Sequence, residues 1–289
     1  MSDFYRPSPI KPKRVRASAE QMAGRQRLLV GIVSEMQPMT VRQVFYQATV
    51  RGLVEKDEAG YDRVQRDLVH LRRTGQIPFD WIADNTRLQR KPRSYDCPLQ
   101  ALEETARFYR KSLWSTSSVY VEVWIEKDAL SGVVYPVTSM FDVPLMVARG
   151  YSSLSFLHSS AQFIRTLKVP AVVYHLGDFD PSGVDAANKI HQTIREYAPG
   201  AELHFESIAV TPRQIQEWNL PKRETKRSDS RSKGFAAHSV ELDSINPQIL
   251  RDLVQTAILR HLPREELAVL QEAERSERKL INNLAGLLQ

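Results

Sequence analysis

The sequence contains a single cysteine, Cys97, among its 289 residues. One thiol forms no internal disulfide and supplies no cysteine-rich zinc site, so packing alone has to stabilise the fold, and we expect a reducing compartment. Long apolar runs are also absent. No stretch approaches the roughly 18 uninterrupted apolar residues of a membrane span, and the first residues contain no apolar signal core. These absences exclude a disulfide-stapled secreted protein and predict a cytoplasmic protein that does not enter a membrane.

Acidic residues are scarce in the first part of the chain. Residues 1–118 hold 21 Lys and Arg against 13 Asp and Glu, a surplus of 8 positive charges, whereas residues 119–289 hold 19 against 21. The apolar fraction of 42% is that of a folded chain, and the length is sufficient for two cores. A basic surface confined to one part of a protein indicates a polyanionic partner, usually a nucleic acid.

The first 98 residues have the pattern of a basic arm followed by a small helical domain. Residues 1–24, rich in proline and basic side chains, predict an arm that either contacts DNA or has no partner. In residues 25–98, a second helix begins after Thr40 and ends at Gly52. Its apolar stripe excludes Tyr46, and Arg42 lies one turn before that tyrosine.

A third, basic helix at about residues 62–74 and an extended, wing-like segment at 76–84 complete this domain. The order of these elements predicts a winged helix-turn-helix that binds double-stranded DNA, although any small helical domain with a solvated basic face fits the pattern equally. In the winged-helix reading, phosphate contacts come from the arginines of the third helix. These are Arg63, Arg66, Arg72 and Arg73.

After a connecting helix and polar hinge at residues 99–118, the pattern becomes that of an α/β domain over residues 119–289. Strand-like runs alternate with helical stretches, and the chain closes with two helices. The predicted strands are 119–125, 143–149, 171–176 and 203–210. Such alternation predicts a mainly parallel sheet covered by helices, with functional residues in the loops at the carboxyl ends of the strands.

Acidic residues follow two of these strands. Glu126 ends the first, and Asp178 and Asp180 follow the third, where Pro181 favours the bend that brings both aspartates toward one cation. Three carboxylates are hard oxygen ligands, which predicts a Mg²⁺ site, with Mn²⁺ as a possible substitute. A solvated acidic loop is the alternative.

Other chemistries fit these residues less well. A calcium loop requires a glutamate where Lys189 stands, and an aspartyl nucleophile of the haloacid-dehalogenase type expects Thr or Val where Ser182 stands. The G-x-S-x-G elbow of serine hydrolases is absent. Two further acids, Glu241 and Asp243, either extend the metal site or belong to a loop near a helix cap. Lys127 either contacts phosphate or pairs with acids.

Four segments together resemble one known family. The runs WIEKDAL and GDFDPSG, with the GY after the second strand, are similar to the toprim domain of the topoisomerase VI A subunit and of the related meiotic double-strand-break protein. The run RQVFY matches that family's R-x-x-[FY]-Y motif. The resemblance covers about residues 25–210, with both domains in the family's order, and is greatest to short stand-alone bacterial or mobile-element relatives.

This resemblance implies a chemistry and a partner. It implies that Tyr46 is the nucleophile, that Glu126, Asp178 and Asp180 bind Mg²⁺, and that a homodimer cuts both strands of DNA. Arg42 would stabilise the phosphate undergoing attack, and a free tyrosine, with a pKa near 10, needs such help at neutral pH. The sequence contains no ATPase motif, so a separate ATPase subunit is a possible partner, and DNA cleavage is a better-supported expectation than strand passage.

Three hypotheses therefore remain from the sequence. The first is a nucleoid-associated, magnesium-dependent enzyme that cleaves DNA through Tyr46 and leaves a 5′-phosphotyrosyl bond. The second is a toprim nuclease that activates water at the same metal site. The third is a DNA-binding subunit without cleavage activity.

Overall fold

The computed structural model describes most of the chain; the residues described are 18–83, 94–150, 152–225, 235, 238–262 and 264–286. Most of the predicted basic arm, Tyr151 of the GY pair, and the basic segment 226–234 therefore lie outside the described residues. Within these residues, ten α-helices, two 3-10 turns and six strands are assigned. They are α1 (Ala19–Met36), α2 (Val41–Val50), α3 (Glu58–Arg73), α4 (Pro98–Phe108), β1 (Tyr120–Ile125), α5 (Asp128–Met140), β2 (Leu145–Val147), α6 (Leu154–Thr166), β3 (Ala171–Leu176), α7 (Pro181–Tyr197), β4 (Leu203–Ala209), α8 (Pro212–Glu217), β5 (Arg223–Glu224), β6 (His238–Ser239), α9 (Pro247–Leu259) and α10 (Arg264–Gly286).

Helices α1 to α3 form a unit with its own apolar core, here called the helical unit. Thr40 and Gln43 form a capping box at the start of α2, and the Asp57 side chain caps α3. Helix α3 begins four residues earlier than the sequence predicts because of that cap. Val64 and Leu68 form its inner face and are fully buried. A buried ion pair of 2.5 Å between Arg25 and Asp67 ties α1 to α3.

The wing-like segment after α3 differs from the expectation. Residues Phe79–Trp81 form a 3-10 turn, and Ile82 makes a single parallel bridge to Met39. Pro78 opens this turn, and its fixed φ favours the turn over an extended strand. The prediction of an extended wing is thus wrong for Phe79–Trp81. In the described part of this segment, a single bridge is present where a wing would form a pair of strands.

The second part of the chain is an α/β unit around a parallel four-stranded sheet, as the sequence predicts. The strand order is β2-β1-β3-β4, and all three pairings are parallel. Alternate residues of β1 face opposite sides: Val123 packs in the core with α5 and α9, and Trp124 in the core with α6 and α7. Ile125 pairs with both Val147 and Leu176, so three strands end at the same edge of the sheet.

The connecting helix is shorter than predicted and is covered by the last helix. Helix α4 ends at Phe108 because Tyr109 turns the chain out of the helix, and the Tyr109 carbonyl accepts hydrogen bonds of 2.8 and 3.1 Å from Arg278 of α10. Lys111 forms an ion pair with Glu277. None of the helices in the described part of the chain has both the length and the apolar character needed to cross a membrane.

Substituting alanine for two glycines of the helical unit should have opposite effects on stability. Gly31 lies on the exposed side of α1 with no atom near the position of an added Cβ, whereas a Cβ on Gly60 would collide with the Glu55 carbonyl oxygen. We expect Gly31→Ala to raise the free energy of unfolding by about 0.5–1 kcal/mol and Gly60→Ala to lower it by about 1–3 kcal/mol. Urea denaturation measures both, and equal effects of the same sign would contradict this packing.

Candidate active site between the helical unit and the sheet

Five acidic side chains gather at the carboxyl edge of the sheet. Glu126 follows β1, and Asp178 and Asp180 lie in the turn between β3 and α7. The segment after β6 joins them because Phe179 and Val240 exchange two backbone hydrogen bonds of 2.9 Å each. This bridge brings in two more carboxylates. The five, here called the acidic cluster, are Glu126, Asp178, Asp180, Glu241 and Asp243.

The ammonium group of Lys127 lies among three of these carboxylates. Its Nζ is 2.6 Å from Asp243 Oδ2, 3.0 Å from Asp178 Oδ1 and 3.6 Å from Glu241 Oε2. Burial alone would lower the pKa of Lys127, but Asp243, Asp178 and Glu241 together raise it well above its usual range. Lys127 is therefore a fixed positive charge, and of the two sequence interpretations the structure shows the pairing with acids.

Glu126 and Asp178 interact closely at the turn after β3. The Asp178 backbone N–H donates to Glu126 Oε2 over 2.9 Å, and an added Cβ on Gly177 would lie 2.8 Å from that oxygen. Glycine at position 177 thus permits the close approach of the carboxylate. Burial raises the pKa of both carboxyl groups above their ordinary values. Lys127 and the Leu242 N–H, which donates to Asp178 Oδ1 over 2.8 Å, oppose that rise for Asp178.

Asp180 has a structural task and an ion pair. Its Oδ1 accepts a 2.8 Å hydrogen bond from the Gly183 N–H and caps α7, so the bend expected at Pro181 is present. Its Oδ2 lies 2.9 Å from Nη2 of Arg223. Arg223 belongs to β5, and no feature of its local sequence separates it from the other basic residues that follow.

Glu241 connects the acidic cluster to the helical unit. Its Oε1 lies 3.2 Å from Nη2 of Arg42 and 3.0 Å from Nη1 of Arg223. Burial alone raises the pKa of Glu241, but the surrounding cations Lys127, Arg42 and Arg223 lower it overall. Glu241 is therefore a charged, buried carboxylate at neutral pH.

Tyr46 is buried, contrary to its predicted place outside the apolar stripe. It is only 4% exposed, because α2 packs against α1 and α3 on one side and against the 3-10 turn Leu242–Ser244 on the other. Lys56 Nζ lies 5.3 Å from the ring centroid. Burial, and next the charge of Glu241, raise the Tyr46 pKa to about 12, while Arg42 opposes this. A helical wheel cannot anticipate this second packing partner.

A cleft of about 700 Å³ separates α2 and α3 from the edge of the sheet. Of the predicted site residues, Arg42, Arg66, Arg72 and Lys127 line it, together with Asp243. Arg63 and Arg73 are not among its lining residues. Arg66 and Arg72 donate from Nε to carbonyls of their own helix, and Arg72 also lies over the Phe79 ring. The structure thus places two of the four helix-α3 arginines at the same cleft as Arg42 and Lys127.

The acidic cluster fits a divalent cation in chemistry and charge. It offers only oxygen ligands, and its five negative charges exceed the three positive charges of Arg42, Lys127 and Arg223 by two. In the arrangement present, Lys127 lies between Asp178 and Asp243. Among the described residues no three acid, His or Cys side chains are grouped as an ion would require. A metal would therefore need a rearrangement of these side chains.

His175 lies beneath the site, on the buried strand β3. Its Nε2 has no hydrogen-bond partner among the described residues, and the ring stacks on Phe205 with centroids 5.8 Å apart. Burial lowers its pKa from 6.5 to about 4, so the ring is neutral at pH 7. His175 is therefore a core residue whose imidazole is not fully hydrogen-bonded within the described part of the chain.

This histidine predicts a specific acid sensitivity. The folded-state pKa of His175 is depressed, so its contribution to stability is complete above pH 6.5 and is lost as the pH falls toward 4. Between pH 7 and pH 4, we expect the free energy of unfolding to decrease by up to about 3 kcal/mol less in His175→Leu than in the wild type, because the variant has no imidazole to protonate. Urea denaturation at each pH measures this difference. His204→Gln, which changes an exposed histidine, is the control. An unchanged pH dependence in His175→Leu would contradict the prediction.

No protein-family model and no curated protein matches the sequence.

Proposed function

We propose that the protein is a magnesium-dependent enzyme that cleaves double-stranded DNA, with Tyr46 as the nucleophile, as in the A subunits of type IIB topoisomerases. One observation carries this proposal. The helix that holds Arg42 and Tyr46 packs against the acidic cluster, and the cleft beside it is lined by basic residues of α3. The sequence resemblance predicts these same parts in one active site.

In this proposal the helical unit is a winged helix-turn-helix that grips the DNA backbone. Arg66, Arg72 and Lys127 line the cleft, and a backbone phosphate of a duplex bound over the cleft would lie among them. Arg63 and Arg73 then contact phosphates outside the cleft. The α/β unit would correspond to the toprim domain, with its acids at the carboxyl edge of the parallel sheet.

The chemical step is a transesterification. The Tyr46 oxygen bonds to phosphorus, the P–O3′ bond breaks, and the 3′-oxygen leaves with a proton, which gives a 5′-phosphotyrosyl bond. With a pKa of about 12, the hydroxyl is almost entirely protonated at neutral pH, so it needs a proton acceptor and nearby positive charge. Glu241 interacts with the hydroxyl, and Arg42 opposes the rise of the Tyr46 pKa and contacts the phosphate.

Magnesium would be held by Glu126, Asp178 and Asp180 in this proposal. When bound, the ion would supply positive charge that stabilises the phosphate oxygens and the leaving 3′-oxygen. Lys127 and Arg223, which now neutralise Asp178 and Asp180, would exchange those partners for phosphate oxygens.

The proposal includes a homodimer, because two nucleophiles are needed to cut both strands. In the resembled family, the tyrosine of one subunit meets the metal site of the other. Here Tyr46 lies beside Glu241 and Asp243 of its own chain, which supports a site in which nucleophile and acidic cluster belong to one subunit. A separate ATPase subunit would be needed for strand passage and not for cleavage.

Hydrolysis is the second candidate function, and the burial of Tyr46 favours it. A side chain that is 4% exposed reaches a phosphate only if α2 moves away from Leu242–Ser244. A toprim nuclease that activates water at Glu126, Asp178 and Asp180 needs no such movement. The two candidates share the metal site and differ in their requirement for Tyr46.

Covalent attachment to DNA separates the two candidates. The purified protein is incubated with supercoiled plasmid and Mg²⁺ or Mn²⁺, stopped with detergent, and assayed for protein joined to 5′ ends. We expect Tyr46→Phe to reduce these adducts by roughly two orders of magnitude or more, and Asp178→Asn to abolish cleavage. Tyr135→Phe, which changes an exposed tyrosine on α5, should leave the adducts unchanged.

The other outcomes each contradict part of the proposal. Cleavage without adducts that persists in Tyr46→Phe and is lost in Asp178→Asn would replace transesterification by hydrolysis. Salt-sensitive DNA binding, with no cleavage in either metal and no magnesium binding, would reject both and leave a DNA-binding subunit.

A further inference from the structure

One buried carboxylate is surrounded by cations from three elements of the chain. Glu241 Oε1 lies 3.2 Å from Arg42 of α2 and 3.0 Å from Arg223 of β5, and its Oε2 lies 3.6 Å from Lys127. The Glu241 side chain is 7% exposed, whereas those of Arg42 and Arg223 are 52% and 38% exposed. The two guanidinium groups thus reach the surface above the carboxylate that they bind.

This arrangement is the one by which proteins bind phosphate groups. Guanidinium groups present planar pairs of N–H donors that match tetrahedral oxyanions, and an ammonium group adds a point charge. Asp178 and Asp243 also pair with Lys127, and Asp180 pairs with Arg223. Glu241 itself supplies two oxygens to this set. Its Oε2 is buried and accepts no hydrogen bond among the described residues, although it lies 3.0 Å from Arg42 Nε. An anion with more oxygens would satisfy the three cations better.

The local structure does not require a glutamate at this position. Glu241 precedes the 3-10 turn Leu242–Ser244, and its side chain makes no capping hydrogen bond there. The backbone bridge between Phe179 and Val240 fixes the segment without it. The side-chain contacts of Glu241 are instead directed to the cations, and its charge also acts on the Tyr46 hydroxyl.

We propose that Arg42, Lys127 and Arg223 form a phosphodiester-binding site, and that the Glu241 carboxylate holds the place of the phosphate in the DNA-free protein. The identification of the ligand as a DNA phosphate rests on the proposed function. A phosphate that reaches the exposed side chains of Arg42 and Arg223 exchanges one anion for another, so the cations stay neutralised throughout.

The test is DNA binding in the absence of metal. The full-length protein is titrated into a short fluorescently labelled DNA duplex with EDTA, and anisotropy is followed at several salt concentrations. We expect Glu241→Gln to bind about tenfold more tightly at low salt, with a salt dependence steeper by about one to two phosphate contacts, because the cations are released. Arg223→Gln in the same background should remove part of this gain.

Two control variants distinguish the occupation of the phosphate site by Glu241 from a general effect of net charge on DNA binding. Asp128→Asn removes one negative charge from the same cleft without contacting Arg42 or Arg223, and we expect it to change the affinity less than about twofold. Glu241→Asp keeps the charge and withdraws the carboxylate by one methylene, so it should also tighten binding, by roughly threefold. It also serves as the test if Glu241→Gln fails to fold, which thermal melting reveals.

The outcomes are distinct from those of the cleavage assay. If folded Glu241→Gln binds no more tightly than Asp128→Asn, or folded Glu241→Asp binds as the wild type does, the phosphate site is rejected even where covalent adducts form. Tighter binding by both Glu241 variants supports the phosphate site even where the wild type never cleaves DNA.

Discussion

Two backbone hydrogen bonds between Phe179 and Val240 determine which residues can meet at the cleft. They fasten the segment 240–244 to the turn after β3, so that the Leu242 N–H reaches Asp178 and two carboxylates distant in sequence enter the acidic cluster. The same segment is the surface on which α2 rests. The contact between the helical unit and the sheet therefore depends on a pairing of single residues from two loops.

Electrostatics explains why this junction is ordered in one way. Burying carboxylates and an ammonium group together is costly unless the charges find partners, and the pairs Lys127–Asp243, Arg223–Asp180 and Arg42–Glu241 meet that condition for three of the five carboxylates. Such pairs add little to net stability, but removing one member leaves an uncompensated charge behind. The network therefore specifies the position of α2 against the sheet more than it stabilises the fold.

Much of the fold follows from local sequence signals. The apolar runs of β1 and β3 and the parallel sheet were predictable, because a buried parallel strand is apolar on both faces. The burial of Tyr46 was not predictable, because a helical wheel of α2 shows only which residues form an apolar face. It does not show that a second, polar segment packs against the opposite side of the helix. The role of Arg223 was not predictable either, because it depends on a tertiary contact with Asp180, which lies 43 residues earlier in the sequence. Glu126, Asp178 and Asp180 were predicted together, but their engagement with Lys127 and Arg223 follows from tertiary contacts alone.

The cover that α10 provides for α4 has a consequence for biosynthesis. The carbonyl of Tyr109 accepts a hydrogen bond from Arg278, which lies 169 residues later in the chain. Lys111 likewise donates to Glu277, 166 residues later. Because the chain is synthesised from its N-terminus, the residues of the helical unit and of the sheet emerge from the ribosome before these partners do. The segment around Tyr109 is therefore uncovered until α10 follows, and its closure joins residues far apart in the sequence.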